Sequence, residues 1–312
     1  MKLRNKRVLV TGAAGSLGPQ FVRSLRTREC SVVMVDNLSG KSTDVPPGVE
    51  FVHDDFGKLD ARPELLDGVD VIIHLAANTS VVDASENPVD DFKNNVVNTI
   101  ALLETLRHRA AKPRLLYAST ALAMGNQGDQ PIFDESSVPR PTSFYGLSKL
   151  AGEYYCRMYR STYGMPIEVV RFFNIYGPGQ RKYVLYDILR KLSENGKELK
   201  MLGTGEEARD FIYIQDAIDG AFLILEHEKN GTYNVGLGKK TKIKELVDVI
   251  LKSLNLEDVA VTFSGSSWKG DVKGNCADIT RLKALGFAQK TTLEEGVKKL
   301  IAWIREKDLL PL

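Results

Sequence analysis

The sequence predicts an α/β fold, a doubly wound parallel sheet joined to a smaller mixed α/β region. Three observations carry this. Short apolar runs alternate with longer amphipathic segments through the first half, as parallel strands covered by crossover helices require. The first run ends in a glycine-rich turn that opens a helix. After Gly177-Pro178-Gly179 the rhythm changes to helices separated by brief strands and loops.

Taken in order, 7–11 reads as a buried strand and 17–27 as a helix. Residues 30–35, ending at Asp36, form a second strand, 49–52 a third and 69–75 a fourth. One long helix is expected over 88–109, where Val96, Ile100, Leu103 and Leu106 share a face. A fifth strand at 114–118, a helix at 145–163 and a sixth strand at 167–172 follow. Further helices are expected at 184–195, 214–226, 244–254 and 293–305. Residues 1–175 make the first domain, which also receives a segment near 205–230, and 176–312 make mainly the second, which faces a substrate.

The 312 residues suffice for about two domains. With 42 Lys+Arg against 40 Asp+Glu the net charge is +2, which argues against a nucleic-acid binder, whose basic side chains neutralise many phosphates. No apolar run approaches the roughly 18 residues of a membrane span, and no membrane partner is expected. The opening MKLRNKRVLVTG has too short an apolar stretch for a signal peptide. Cys30, Cys156 and Cys276 are few and far apart. They suit a reducing, cytoplasmic setting and supply neither a disulfide framework nor a metal cluster.

Thr11-Gly-Ala-Ala-Gly-Ser-Leu-Gly18 joins the first strand to the first helix. Gly12 permits a tight turn, Gly15 lets backbone amides approach a pyrophosphate, and Gly18 lets helix and strand pack closely. Asp36, at the end of the second strand, is placed to accept hydrogen bonds from an adenosine ribose. Its carboxylate would repel a 2′-phosphate, so NAD is favoured over NADP. A solvated strand end is the plainer reading of Asp36. Together the two features make 1–175 a Rossmann-type, dinucleotide-binding domain.

Tyr145 and Lys149, in Ser143-Phe-Tyr-Gly-Leu-Ser-Lys149, lie four apart on one helix face. A phenol of pKa about 10 is a poor base near neutrality, and a neighbouring ammonium together with a nicotinamide cation would acidify it. Thr120, at the C-terminal end of the fifth strand, adds a hydroxyl where open α/β sheets bind ligands.

With these residues in view, the chain resembles the extended short-chain dehydrogenases/reductases, most closely NAD-dependent nucleotide-sugar epimerases of the UDP-galactose (UDP-glucose) 4-epimerase type. The resemblance covers nearly the whole chain. It rests on TGAAGSLG, DNLSG, HLAA at 74–77, NNV at 94–96, STA at 119–121, YGLSK, RFFNIYGPGQ at 171–180 and RDFIYIQD at 209–216. It implies that Ser16 and Leu17 line the pyrophosphate, Asp36 and Asn37 the adenosine ribose, and Asp55 and Phe56 the adenine. Leu75, Ala76 and Ala77 would wall the cofactor, with Asn95 nearby and Phe173 near the nicotinamide. A buried strand end explains Leu75 to Ala77 equally well. Thr120, Tyr145 and Lys149 would be catalytic, with Lys149 also on the nicotinamide ribose. Asn174 and Arg209 would meet the substrate diphosphate, although Arg209 pairing with Asp210 or a helix end is the structural alternative.

Members of this family differ in reaction, so the site must decide. Its 4,6-dehydratases carry Asp-Glu after the Thr, whereas Thr120 is followed by Ala121 and Leu122, which have no proton to give. Leu122 equally cannot serve where a 3,5-epimerase type needs Cys. What remains is 4-epimerisation through a transient 4-keto sugar, or a nucleotide-4-ketosugar reductase or NAD-dependent dehydrogenase using the same residues. Trp268-Lys-Gly-Asp271 stands where many UDP-sugar epimerases read Arg-Pro-Gly-Asp. Lys269 would supply a point charge instead of a fork, while Trp268 stacks on substrate or packs as core. Asn275 falls where the family often has a gatekeeping Tyr, leaving room for a larger C2 group. Met124, in place of a common Tyr, carries no functional reading. A homodimer through the helices at about 90–108 and 146–163 is implied, unless the chain covers those faces itself.

Overall fold

The computed structural model describes residues 1–312 except 41–43, 129–130, 228–229 and 267–273. The first half winds β1 (Arg7–Thr11), α1 (Gly18–Arg26), β2 (Ser31–Asp36), β3 (Glu50–His53), β4 (Val71–His74), α2 (Val81–Glu86), α3 (Pro88–Phe92), α4 (Asn98–Arg107), β5 (Arg114–Thr120) and β6 (Ile132–Phe133). It continues with α5 (Phe144–Tyr163), β7 (Ile167–Phe172) and β8 (Asn174–Tyr176). Then come α6 (Tyr183–Glu194), β9 (Glu198–Met201), β10 (Ala208–Arg209), β11 (Phe211–Tyr213), α7 (Ile214–His227) and β12 (Gly231–Val235). The chain ends with β13 (Thr241–Lys242), α8 (Ile243–Leu254), β14 (Ala260–Phe263), β15 (Cys276–Ala277), α9 (Thr280–Lys283) and α10 (Leu293–Glu306).

Seven strands form one sheet in the order β12-β7-β5-β4-β1-β2-β3, and every neighbouring pair is parallel. The order reverses direction between β1 and β4, so their C-terminal ends open the crevice in which such sheets hold ligands. β4 and β7 are buried throughout, as strands covered on both faces must be. α7 and β12 bring the chain back to this sheet from its second half. The four two-stranded pairings β8–β11, β6–β15, β9–β14 and β10–β13 carry the remaining strands.

The expected long helix over 88–109 is observed from Pro88 to Arg107, with one irregular turn inside it. α3 and α4 are separated by a π-helical turn, Lys93–Val97, a widening that often marks functional positions in helices. The turn directs the Asn95 side chain inward.

Candidate active site

The glycine turn packs tightly. A Cβ on Gly12, whose φ is +65°, would stand 2.5 Å from the Ala76 nitrogen, and one on Gly18 would stand 2.2 Å from the Ala13 oxygen. Gly15 meets only the Gly12 oxygen, at 3.2 Å, and Ser16 beside it is exposed. α1 begins with Pro19 in its first turn, no acidic residue there and no side-chain cap. Its positive end is therefore not neutralised by its own side chains. Asp36 reaches across from β2, its Oδ2 accepting from the Ala14 N–H at 2.9 Å and its Oδ1 from the Leu38 N–H at 2.7 Å. Each carboxylate oxygen keeps a further lone pair, and these residues fit a dinucleotide pyrophosphate and ribose. Exposed Asn37 folds its Oδ1 onto the Ser39 N–H at 3.0 Å.

Asp55 and Phe56 have structural work of their own. The Asp55 side chain caps the short helical turn that follows, accepting from the Gly57 N–H at 2.8 Å. Phe56 is a core residue, its ring 4.7 Å from that of His74. Leu75, Ala76 and Ala77 are half-buried and lie just beyond β4, beside Gly12. Buried His74 binds the Thr11 hydroxyl through Nδ1 at 2.6 Å and Thr99 through Nε2 at 3.1 Å. Burial pushes its pKa well below the usual imidazole value, so it ties β1, β4 and α4 together as a neutral ring.

α5 presents the central residues. Ser143 caps it by accepting from the Gly146 N–H at 3.1 Å, which fixes the start of the helix and so the face it turns inward. Two glycines then let it settle on β5 and the turn that follows it. A Cβ at Gly146 would meet the Leu122 oxygen at 2.5 Å, and one at Gly152 would meet the Tyr117 hydroxyl at 2.1 Å. Tyr145 and Lys149 are consequently buried, 8% and 2% exposed. The Thr120 hydroxyl oxygen accepts from the Leu122 N–H at 3.2 Å and lies near enough to the Tyr145 phenol to influence it.

Burial dominates the electrostatics of both side chains. It raises the Tyr145 pKa above the ordinary phenol value, Tyr183 adds to this, and the Thr120 side chain opposes it. Lys149 follows one helical turn along α5. Its ammonium lies 4.2 Å from the centroid of the Tyr117 ring, a cation–π contact. Burial lowers its pKa to about 8, while Cys156, Glu153 and Asp91 work the other way.

Asn95 is fully engaged by protein. Its Oδ1 accepts from the Asn78 N–H at 2.7 Å, and its Nδ2 donates to Asp91 Oδ1 at 2.9 Å, Ser148 Oγ at 3.0 Å and the Asn78 carbonyl at 3.0 Å. The residue joins the loop after β4, α3 and α5, a positioning part that the expectation of cofactor contact did not include. Beneath Thr120, Ser119 donates to Glu153 at 2.5 Å, and Glu153 pairs with Arg171 at 2.7 Å, both charged side chains being buried. Asp91, Ser148, Glu153, Arg171, Tyr117 and His74 were not singled out from the sequence. Their signal was polar residues within otherwise apolar strands and helix faces.

On the other wall, buried Phe173 stands between β7 and β8, its N–H donating to the Val235 carbonyl at 3.0 Å. The Asn174 amide donates to Asn275 Oδ1 and to the Asp210 carbonyl, both at 3.1 Å, so two residues expected at the substrate meet one another. Arg209 is half-buried and donates to the Ala208 carbonyl at 3.0 Å. Asp210 is turned inward, accepting N–H groups from Leu237, Gly238 and Ala277. Trp268 and Lys269 lie outside the described residues. Met124 is fully buried in the core.

A parallel sheet of this order with a glycine turn at its switch point defines a Rossmann-type, dinucleotide-dependent enzyme. The profile of the NAD-dependent epimerase/dehydratase family matches residues 8–236. The chain belongs to that family. It is 30% identical to the UDP-glucose 4-epimerase of Mycolicibacterium smegmatis over 96% of this chain and 99% of that protein. Among solved structures, it is similar to a UDP-N-acetylglucosamine 4-epimerase from Methanobrevibacter ruminantium in complex with UDP-N-acetylmuramic acid. The TM-score is 0.89 and the identity 27%, over 97% of this chain and 99% of that one. The UDP-glucose 4-epimerase of Thermus thermophilus in complex with NAD gives a TM-score of 0.87 and 28% identity, over 96% and 99% of the two chains.

Proposed function

We propose that this chain is an NAD-dependent nucleotide-sugar 4-epimerase acting on a UDP-hexose, with Thr120, Tyr145 and Lys149 as its catalytic set. The observation that carries the reading is the buried Tyr145 phenol beside Thr120, with Ala121 and Leu122 following Thr120 in place of acids. That set holds and moves one proton at a sugar hydroxyl and offers none for dehydration.

Gly12, Gly15, Ser16, Leu17 and Gly18 would hold the NAD pyrophosphate, Asp36 and Asn37 its adenosine ribose, and Lys149 its nicotinamide ribose. Asp55, Phe56, Leu75, Ala76, Ala77, Asn95 and Phe173 would border it. When bound, NAD supplies a hydride acceptor for the sugar C4 and a positive ring charge. Tyr145 Oη takes the proton of the 4-hydroxyl and later returns it, so no net proton or electron leaves the site. Thr120 holds the reacting oxygen and favours the phenolate. The low-dielectric setting strengthens both effects, because water does not compete for the same groups. Asn174, Arg209 and Asn275 would face the nucleotide-sugar, as would Trp268 and Lys269.

Two broader proposals accompany this one. Val89, Phe92, Tyr154, Tyr155 and Met158 on α3 and α5 are large apolar side chains left exposed, which supports a homodimer through this face. The three unpaired cysteines support a reducing, cytoplasmic setting. No helix among the described residues is long and apolar enough to cross a membrane.

The test is incubation with UDP-glucose, UDP-N-acetylglucosamine and UDP-glucuronate without added cofactor. A C4-inverted product supports the reading. Net accumulation of NADH makes the protein a dehydrogenase instead.

A further inference from the structure

Epimerisation at C4 places an unusual demand on a site. The 4-keto sugar must loosen and turn before hydride returns to its other face, yet it must not leave, since its escape strands a reduced cofactor on the enzyme. Some wall has to close behind it.

The stretch 177–183 runs along the cleft. At one end, a Cβ on Gly179 would come 2.7 Å from the Ser16 oxygen in the glycine turn. At the other end, the Tyr183 hydroxyl donates to the Thr79 carbonyl at 3.4 Å, on the loop that follows β4. Tyr183 opens α6 with φ at +72°, a left-handed conformation that is a true outlier for a bulky residue. Such strain persists where surrounding structure imposes it and clusters at clamps and switch regions. The ring is 52% exposed, so burying apolar surface does not explain the strain. The contacts with Ser16 after β1 and Thr79 after β4 set the stretch across the C-terminal ends of those strands, and Tyr183 is also among the groups that raise the Tyr145 pKa.

We propose that Tyr183 is a positioning residue that latches 177–183 to the Thr79 loop and keeps the 4-keto sugar inside while it turns. This rests on the 4-epimerase reading. The hydroxyl supplies the latch and the ring the wall.

The experiment follows full-length wild type, Tyr183→Phe and Tyr183→Gly with UDP-glucose, UDP-N-acetylglucosamine or UDP-glucuronate, whichever wild type turns over. For each, two quantities are measured: free 4-keto sugar trapped by borohydride in the filtrate, and the near-ultraviolet absorbance of reduced nicotinamide left on the protein. Their ratio to completed epimerisations is a partition ratio, which does not depend on what fraction of a variant is folded. Tyr183→Phe is expected to raise escape by up to about tenfold, the scale of one lost hydrogen bond. Tyr183→Gly, which also relieves the backbone and removes the ring, is expected to raise it further. Wild-type turnover with unchanged partition ratios in both variants overturns the latch alone. No wild-type turnover on any of the three sugars overturns the 4-epimerase reading, and the latch with it.

Discussion

The Lys149 ammonium rests 4.2 Å from the centroid of the Tyr117 ring, one helical turn along α5 from Tyr145. The cation is therefore held by an aromatic face within the fold. In the proposed mechanism Thr120 tunes the phenol, and Lys149 provides a buried charge of its own.

Tyr145→Phe removes the proposed proton carrier while keeping the ring. Turnover should fall by at least about a hundredfold, the usual contribution of a positioned acid–base group. Steady-state kcat measures this, and near-normal kcat removes Tyr145 from the mechanism.

Thr120→Val deletes the hydroxyl that opposes the effect of burial on Tyr145. The Tyr145 pKa should then rise further, and the limb of the pH–rate profile on which activity increases with pH should move to higher pH. An unmoved limb contradicts the role of Thr120.

Lys149 has a folded pKa of about 8 against 10.5 for an ordinary lysine. Between those values the unfolded chain binds the proton that the folded one has lost, so this group's contribution to stability rises with pH across that window. Below it, the charged form costs roughly 3 kcal/mol. Lys149→Met should therefore keep or raise the Tm near neutral pH while activity collapses. In the wild type, the share of activity that needs the ammonium should fall as pH passes about 8. A large drop in Tm for Lys149→Met contradicts this account.

Asp36→Asn retains an oxygen acceptor for one backbone N–H and discards the charge. Preference for NAD over NADP, measured by binding of each dinucleotide, should fall by about tenfold or more, since a half-buried like charge no longer opposes the 2′-phosphate. Unchanged discrimination refutes the assignment.

The apolar outer face of α3 and α5 should hold two chains together. Light scattering is expected to give twice the chain mass of 34.6 kDa, and Phe92→Glu with Met158→Glu to halve it. A monomeric wild type sinks the proposal.

Much of the scaffold was legible because its signals are local. β1 and β7 run over the residues that their apolar runs mark, and the glycine turn lies between β1 and α1. The π turn at Lys93–Val97 was hidden, because its extra residue leaves Val96, Leu103 and Leu106 apolar and in sequence order. Asn95 reads from the sequence as a cofactor neighbour, and its network with Asp91 and Ser148 came from this turn without a signal of its own. Strands of two or three residues, such as β6 and β10, carry too few residues for a period to show. The partner of Lys149 was invisible for a different reason: Tyr117 is 32 residues away and meets it only when β5 and α5 pack.

Hydride return to the carbon it left is the most direct test of the central claim. A UDP-hexose labelled with deuterium at C4 is turned over by the purified protein, and the product is read by NMR. Retention of the label at C4 with inverted configuration and no free NADH is the expected result. Exchange of the label for solvent hydrogen, or its transfer to released dinucleotide, would contradict it.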